Sequence, residues 1–301
     1  MTSYPTNDTM THLSRKHEHM LLHESGIDPG IAAERGYHTA RRRSEVPETF
    51  KDYQRKPGLV LPTFSPDGIT KSCQLKPDTP RKDKKGKALK YETPGGSEVI
   101  ADVHPRMLEE VRSGNEDLWI TEGCKKGDAL TSRGLPTISL AGVWMWSVPK
   151  VKPYRLKPCF DHVKLRGRRV CVVFDSDALA KEGVQLALGA LVAALERRGA
   201  EVLVVYLEDA PDGSKVGVDD YLAGGGTVNE LKMLARKFEP ADVGRIRLSR
   251  DEKLRAGVED LKRRHAATRW TWPGADADED VYLKIIEKAE RRGKVVGDGL
   301  R

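Results

Sequence analysis

The chain has 301 residues, 32% of them charged, a net charge of +7 and a mean hydropathy of −0.55. No apolar run approaches the ~18 residues of a membrane span, and the start, MTSYPTNDTM, lacks the charged-then-apolar form of a signal peptide. Cys73, Cys124, Cys159 and Cys171 show no C-x-x-C spacing, which argues against a zinc ribbon or a disulfide framework and for reduced thiols in the cytoplasm. The length allows two or three structural units, and the basic balance suits a polyanionic partner.

Residues 1–45 read as a polar helical segment. His12, His17, His19 and His23 crowd there, but no H-E-x-x-H pattern or cysteine completes a metal site, so a solvated helix is the better reading. LLHESGIDPGIAAERGY gives two short helices, broken at Gly26 and at Asp28-Pro29-Gly30. From 46 to 112 the pattern becomes α+β. PGLVLPTFSPDGITKSCQLKPD reads as a hairpin turning at Ser65-Pro66-Asp67-Gly68. The basic run from Arg81 to Lys87 follows, then Lys90-Tyr91. Two readings stand for it: a solvated loop, or a groove that holds phosphates and stacks a base.

Residues 113–240 make an α/β unit. One apolar run, Leu118-Trp119-Ile120, ends on Thr121-Glu122-Gly123; another, Val170 to Phe174, ends on Asp175-Ser176-Asp177. Both read as buried parallel strands followed by helices. Open α/β sheets bind ligands beyond the carboxyl ends of their strands, where Glu122, Asp175 and Asp177 fall. On an extended chain residues two apart share a side, so Asp175 and Asp177 can share a ligand. Carboxylates this close repel by roughly 4 kcal/mol per pair at 4 Å and an effective dielectric near 20. A hard divalent cation, Mg²⁺ or Mn²⁺, relieves that repulsion. Removing one carboxylate should then leave the fold intact, or even stabilise it without metal.

Between the two runs come a short helix, CKKGDALTSRG, ending at Gly134, and a strand over Pro136 to Leu140. The long loop from Ala141 to Arg169 carries Trp144, Trp146, Lys164, Arg166, Arg168 and Arg169, and its tryptophans read as a lid rather than a base-stacking platform. After Asp177, Val184, Leu188, Leu191 and Leu195 mark an amphipathic helix, and Glu201 to Leu207 a strand. A turn from Asp209 to Gly213 leads to Val218-Asp219-Asp220-Tyr221-Leu222, where the aspartates read either as a helix cap or as a further arm of the metal site. Residues 241–301 read as a helical tail, with a turn at Trp270 to Gly274.

Strand-Glu-Gly, helix, strand, then strand-Asp-x-Asp, helix, strand and a late acidic cluster together resemble the toprim domain, over 115–240. Lys90-Tyr91 resembles the lysine-tyrosine of the basic subdomain in bacterial-type DNA primases. Asp209-Ala-Pro-Asp-Gly-Ser-Lys, with Val218 to Leu222, resembles their acidic segment. TEGCKKGDAL and KVGVDDYL are similar to the toprim-like domains of phage and plasmid replication proteins. The resemblance implies an α/β fold: a toprim-type parallel sheet flanked by helices, preceded by a smaller α+β subdomain and followed by a helical tail. It implies a nucleotidyltransferase that builds short oligonucleotides from nucleoside triphosphates on single-stranded DNA. Glu122, Asp175 and Asp177 would then be catalytic and hold Mg²⁺ or Mn²⁺, with Asp219 or Asp220 on a second ion. Arg81, Lys87, Lys90, Tyr91 and Lys125 would contact nucleotide or DNA. The cysteines of a zinc ribbon and a G-x-x-x-x-G-K-[ST] motor motif are missing, so initiation and template choice fall to a partner, and a separate replicative helicase is expected. A toprim metal-dependent nuclease and a non-catalytic DNA-binding replication-initiation module are the alternatives. A topoisomerase lacks support, since nothing suggests a DNA gate or a nucleophilic tyrosine.

Overall fold

The computed structural model describes residues 12–84, 86–96, 98–178 and 181–238; the expected helical tail lies outside them. The chain opens with helix α1 (Arg15–His19), capped by the Ser14 side chain, and a π-helical turn over Met20–Glu24. Helix α2 (Pro29–Arg35) starts where Asp28 accepts hydrogen bonds from the amides of Gly30 and Ile31, with Pro29 pre-set for the first turn. His17 is buried, 2.8 Å from Thr39 Oγ1, rather than on a solvated face. Residues His38–Ala40 form strand β1, inside the segment expected to be helical. Three residues carry almost no periodic signal; their extended form is fixed by antiparallel pairing with the next strand.

That strand, β2 (Gly58–Phe64), pairs antiparallel with β3 (Lys71–Pro77) across the expected turn. Asp67 accepts from the amides of Ile69 and Thr70 and from the Thr70 hydroxyl, which fixes the turn. Strands β1, β2 and β3 make a three-stranded sheet over Ala40, Val46, Phe50, Val60 and Leu75.

A larger sheet of six strands follows, in the order β4-β6-β5-β7-β8-β9. Strand β4 (Asp102–Val103) leads through helix α3 (Leu108–Ser113) to β5 (Leu118–Glu122). Then come helix α4 (Cys124–Thr131), β6 (Thr137–Leu140), β7 (Arg169–Val173), helix α5 (Glu182–Glu196), β8 (Glu201–Val205), helices α6 (Val218–Ala223) and α7 (Val228–Leu234), and β9 (Ala235–Arg236). Strands β6, β5, β7 and β8 are parallel, and β4 and β9 pair antiparallel at the edges.

Alternation explains why both faces are covered. Leu118, Ile120, Val170, Val172, Val202 and Val204 point to one side, against Leu188, Leu191 and Leu195 of α5. Trp119, Cys171, Val173 and Val205 point to the other, against Leu130 of α4, Leu222 of α6, Leu231 of α7 and Ile31 of α2. The N-terminal helices thus complete the second layer. Trp146 is fully buried and packs with Trp144 and Tyr154, so the long loop's aromatics are spent on packing. Arg168, expected in a basic cluster, is buried and donates to the carbonyls of Glu110, Val111 and Glu116, closing the open end of α3. No described helix is long and apolar enough to cross a membrane.

Candidate active site at the strand ends

Parallel strands β5 and β7 are neighbours in register, so Glu122 and Asp175 leave the sheet side by side at its carboxyl end. Gly123 turns the chain into α4 with φ +99°, a conformation that glycine adopts without strain. Burial, together with the charges of Asp175 and Asp177, pushes the Glu122 carboxyl up, against the pull of Lys126 and Lys215. Asp175 goes the other way. It is buried, which alone would raise it, but the ammoniums of Lys126 and Lys215 outweigh that and hold its carboxyl below the ordinary range. Lys126 Nζ lies 2.7 Å from Asp175 Oδ1, and Lys215 Nζ donates to Oδ2.

The chain after Val173 is not extended. Ser176–Ala178 is a 3-10 turn, closed by the Ala178 amide on the Asp175 carbonyl. Asp177 therefore does not repeat the direction of Asp175 by strand alternation; it pairs with Lys181 at 2.5 Å. Ser176 instead stitches in the acidic segment. Its hydroxyl donates to Asp209 and accepts from the Val216 amide, which brings Lys215 onto Asp175.

The two later aspartates separate. Asp220 is exposed, and its carboxylate accepts the Gly217 amide at 2.8 Å, capping α6. Asp219 is buried, its Oδ2 held by the Ser25 hydroxyl at 3.0 Å and 3.9 Å from Lys125 Nζ. Gly217, the residue before α6, leaves room for the side chains that meet there. A Cβ there would meet Lys126 Cε at 2.5 Å and Asp219 Oδ1 at 2.6 Å, so Lys126 and Asp219 share this crossing.

The basic segment splits as well. Tyr91 lies under Lys76, whose ammonium is 5.4 Å from the ring centroid, and its hydroxyl is pushed up by burial and by Cys124 and Asp219. Lys76 is pushed down by burial and by Lys125, Lys90 and Lys16. Tyr91, Lys90 and Lys125 thus gather around Lys76 on the Asp219 side of the acids. Arg81 is committed elsewhere: its guanidinium grips Glu92 at 2.5 and 3.0 Å and lies over Tyr53. The Lys87 amide closes a local turn on Asp83. Ser25, Lys76, Lys126 and Lys215 were not legible as site residues. Only the doubled lysine after Glu122-Gly-Cys hinted at Lys126.

The donor set suits a hard divalent cation, since it offers oxygens alone. Among the described residues no three His, Cys, Asp or Glu side chains converge on one point. The ammoniums of Lys126 and Lys215 are stand-in cations on Asp175. Lys215 is exposed over 55% of its side chain and can swing away.

A family described as a domain of unknown function, DUF3854, matches residues 110–228. No curated protein matches the chain. Among solved structures, the zinc-binding and RNA polymerase domains of the Aquifex aeolicus primase superpose with a TM-score of 0.51. The identity is 16%, over 94% of this chain and 68% of that one. A DNA primase domain from Pseudomonas aeruginosa gives a TM-score of 0.48 at 14% identity, over 76% of this chain and 75% of that one. The parallel-rich sheet flanked by helices is a primase-like fold.

Proposed function

We propose that the chain is a primase-type nucleotidyltransferase built on a toprim domain over 113–240, with a basic subdomain over 46–112. It would make short oligonucleotides on single-stranded DNA from nucleoside triphosphates, in the cytoplasm, in phage- or plasmid-type replication. The observation that carries this reading is the pairing of Glu122 and Asp175 at adjacent parallel strand ends, beside the cationic and aromatic cluster of Lys76, Lys90, Lys125 and Tyr91. Glu122 and Asp175, with Asp177 after it turns from Lys181, would hold Mg²⁺ or Mn²⁺, and Asp219 would be the further arm. A bound ion would supply charge stabilisation for the attack of a 3′-hydroxyl on the α-phosphate with loss of pyrophosphate.

The protein's own part follows from its charges. Lys126 and Lys215 keep Asp175 ionised, so that it is ready to ligate at neutral pH. Lys126 and Lys215, on flexible stems beside Asp175, would be available to triphosphate oxygens once released from it. Lys90 and Lys76 would supply phosphate contacts beside Tyr91, a residue left 40% exposed although Lys76 lies over its ring. Asp220 serves the cap of α6, and Arg81 serves Glu92. A separate helicase would deliver the template strand.

The test is to incubate the protein with single-stranded DNA, labelled NTPs or dNTPs and Mg²⁺ or Mn²⁺. Extended products are expected. Shortened DNA would replace the polymerising reading with a nuclease, and binding without either would leave a non-catalytic DNA-binding module.

A further inference from the structure

Asp219 presents an anomaly. The residue is only 5% exposed, yet Oδ1 has no hydrogen-bond donor among the described residues. A buried carboxylate oxygen without a partner is costly and calls for an explanation, an ion being one. The other oxygen is well held. Ser25, itself 1% exposed and 194 positions away, donates its hydroxyl to Oδ2 at 3.0 Å. That hydroxyl accepts in turn from Lys125 Nζ at 2.7 Å. A serine oxygen that both donates and accepts in a buried relay has a fixed rotor, and it fixes the carboxylate plane behind it. Oδ1 is thereby aimed at the Gly217 crossing, where the stem of Lys126 passes towards Asp175.

We propose that Ser25 is a positioning residue: it clamps Oδ2 of Asp219 so that Oδ1 is presented to a divalent cation at the strand-end site. The N-terminal segment would thus be part of the cation site as well as of the core. The proposal rests on the reading that Asp219 is an arm of the metal site.

The test uses the full chain and Mn²⁺ alone, titrated by electron paramagnetic resonance, with thermal melting alongside. Loss of a hydrogen-bond partner behind a metal ligand typically weakens binding by about 10–100-fold. Ser25→Ala should therefore raise the Mn²⁺ concentration for half-saturation by at least about tenfold, while Asp219→Asn raises it further. Ser25→Cys, which keeps the side-chain size but donates only weakly, should give a smaller shift in the same direction, and Ser25→Thr should restore binding. Should Ser25→Ala not fold, Ser25→Cys carries the test. Wild-type Mn²⁺ binding by Ser25→Ala or by a folded Ser25→Cys, while Asp219→Asn is weakened, would overturn the clamp and leave Asp219 in the site. Wild-type binding by Asp219→Asn itself would remove Asp219 from the metal site. A fall in melting temperature with unchanged Mn²⁺ half-saturation would make Ser25 a packing residue only.

Discussion

Among the described residues, the carboxylates around Arg35 and those at the strand ends are neutralised in opposite ways. In the first, Arg35 is 1% exposed and reaches Asp102 Oδ1 at 2.7 Å and Asp128 Oδ2 at 2.9 Å, while the Tyr37 hydroxyl donates to Asp128 at 2.7 Å. The guanidinium fork reaches both acids from one rigid plane, deep in the protein, and joins α2, β4 and α4, although Asp102 Oδ2 has no hydrogen-bond partner among the described residues. In the second, Asp175 is neutralised by Lys126 and Lys215, single ammoniums on flexible stems, at a sheet end open to solvent. Composition does not separate the clusters, since both are acids facing bases. The difference is replaceability: a buried fork is permanent, whereas a partly exposed ammonium yields to a stronger cation.

The contrast is broken most decisively at Arg35. Arg35→Met leaves two buried carboxylates unpaired and should cost about 3–5 kcal/mol, read as an earlier midpoint in urea. An unchanged midpoint would mean the first cluster is no clasp. At Asp175 the larger effect should be functional. Asp175→Asn is expected to cut primer synthesis by about a hundredfold or more and to lower stability modestly. The sign follows from the depressed carboxyl: its contribution is present above the ordinary aspartate range and is lost as pH falls through the depressed value. The gap in melting temperature between wild type and Asp175→Asn should therefore close in acid, and a gap that persists there would exclude the ionised pair as its cause.

Glu122→Gln sharpens the same comparison. Synthesis should fall as severely, but stability should rise at neutral pH, because the raised carboxyl means that folding opposes ionisation at this position. That gain should vanish below the ordinary glutamate value of about 4.3, where both states are protonated. Parallel melting curves at pH 7 and pH 4 would contradict it. The smallest change is expected at Asp220. Asparagine can still accept the Gly217 amide, so Asp220→Asn should alter stability by less than about 0.5 kcal/mol and leave metal titration of synthesis unmoved. A shifted titration would bring Asp220 into the site after all.

Glu122 and Asp175 stand differently towards the expectation drawn from repulsion, since burial and like charges push the first carboxyl up while two ammoniums hold the second down. Read as a list of acids, the three strand-end carboxylates repel, and removing any should relieve strain. Folding adds Lys126 and Lys215, and they lie on Asp175, so its removal strands two ammoniums.

The sequence by itself determined the parallel strands, their helices and the place of Glu122 and Asp175. Those follow from short apolar runs and from the rule that such strands bury both faces and open at their carboxyl ends. The hairpin turn and the amphipathic face of α5 were equally local, set by turn chemistry and helical spacing. Tertiary structure alone decided the partners: Ser25 on Asp219 across 194 positions, Lys215 on Asp175 across 40, Arg35 on Asp128 across 93. It also curled Asp177 into a 3-10 turn and drew β1 out of an expected helix. The physical reason is range. Periodicity and turn propensity act within a few residues, whereas a charge is satisfied by whichever side chain the packed layers bring within about 3 Å, and no local pattern encodes which one that is.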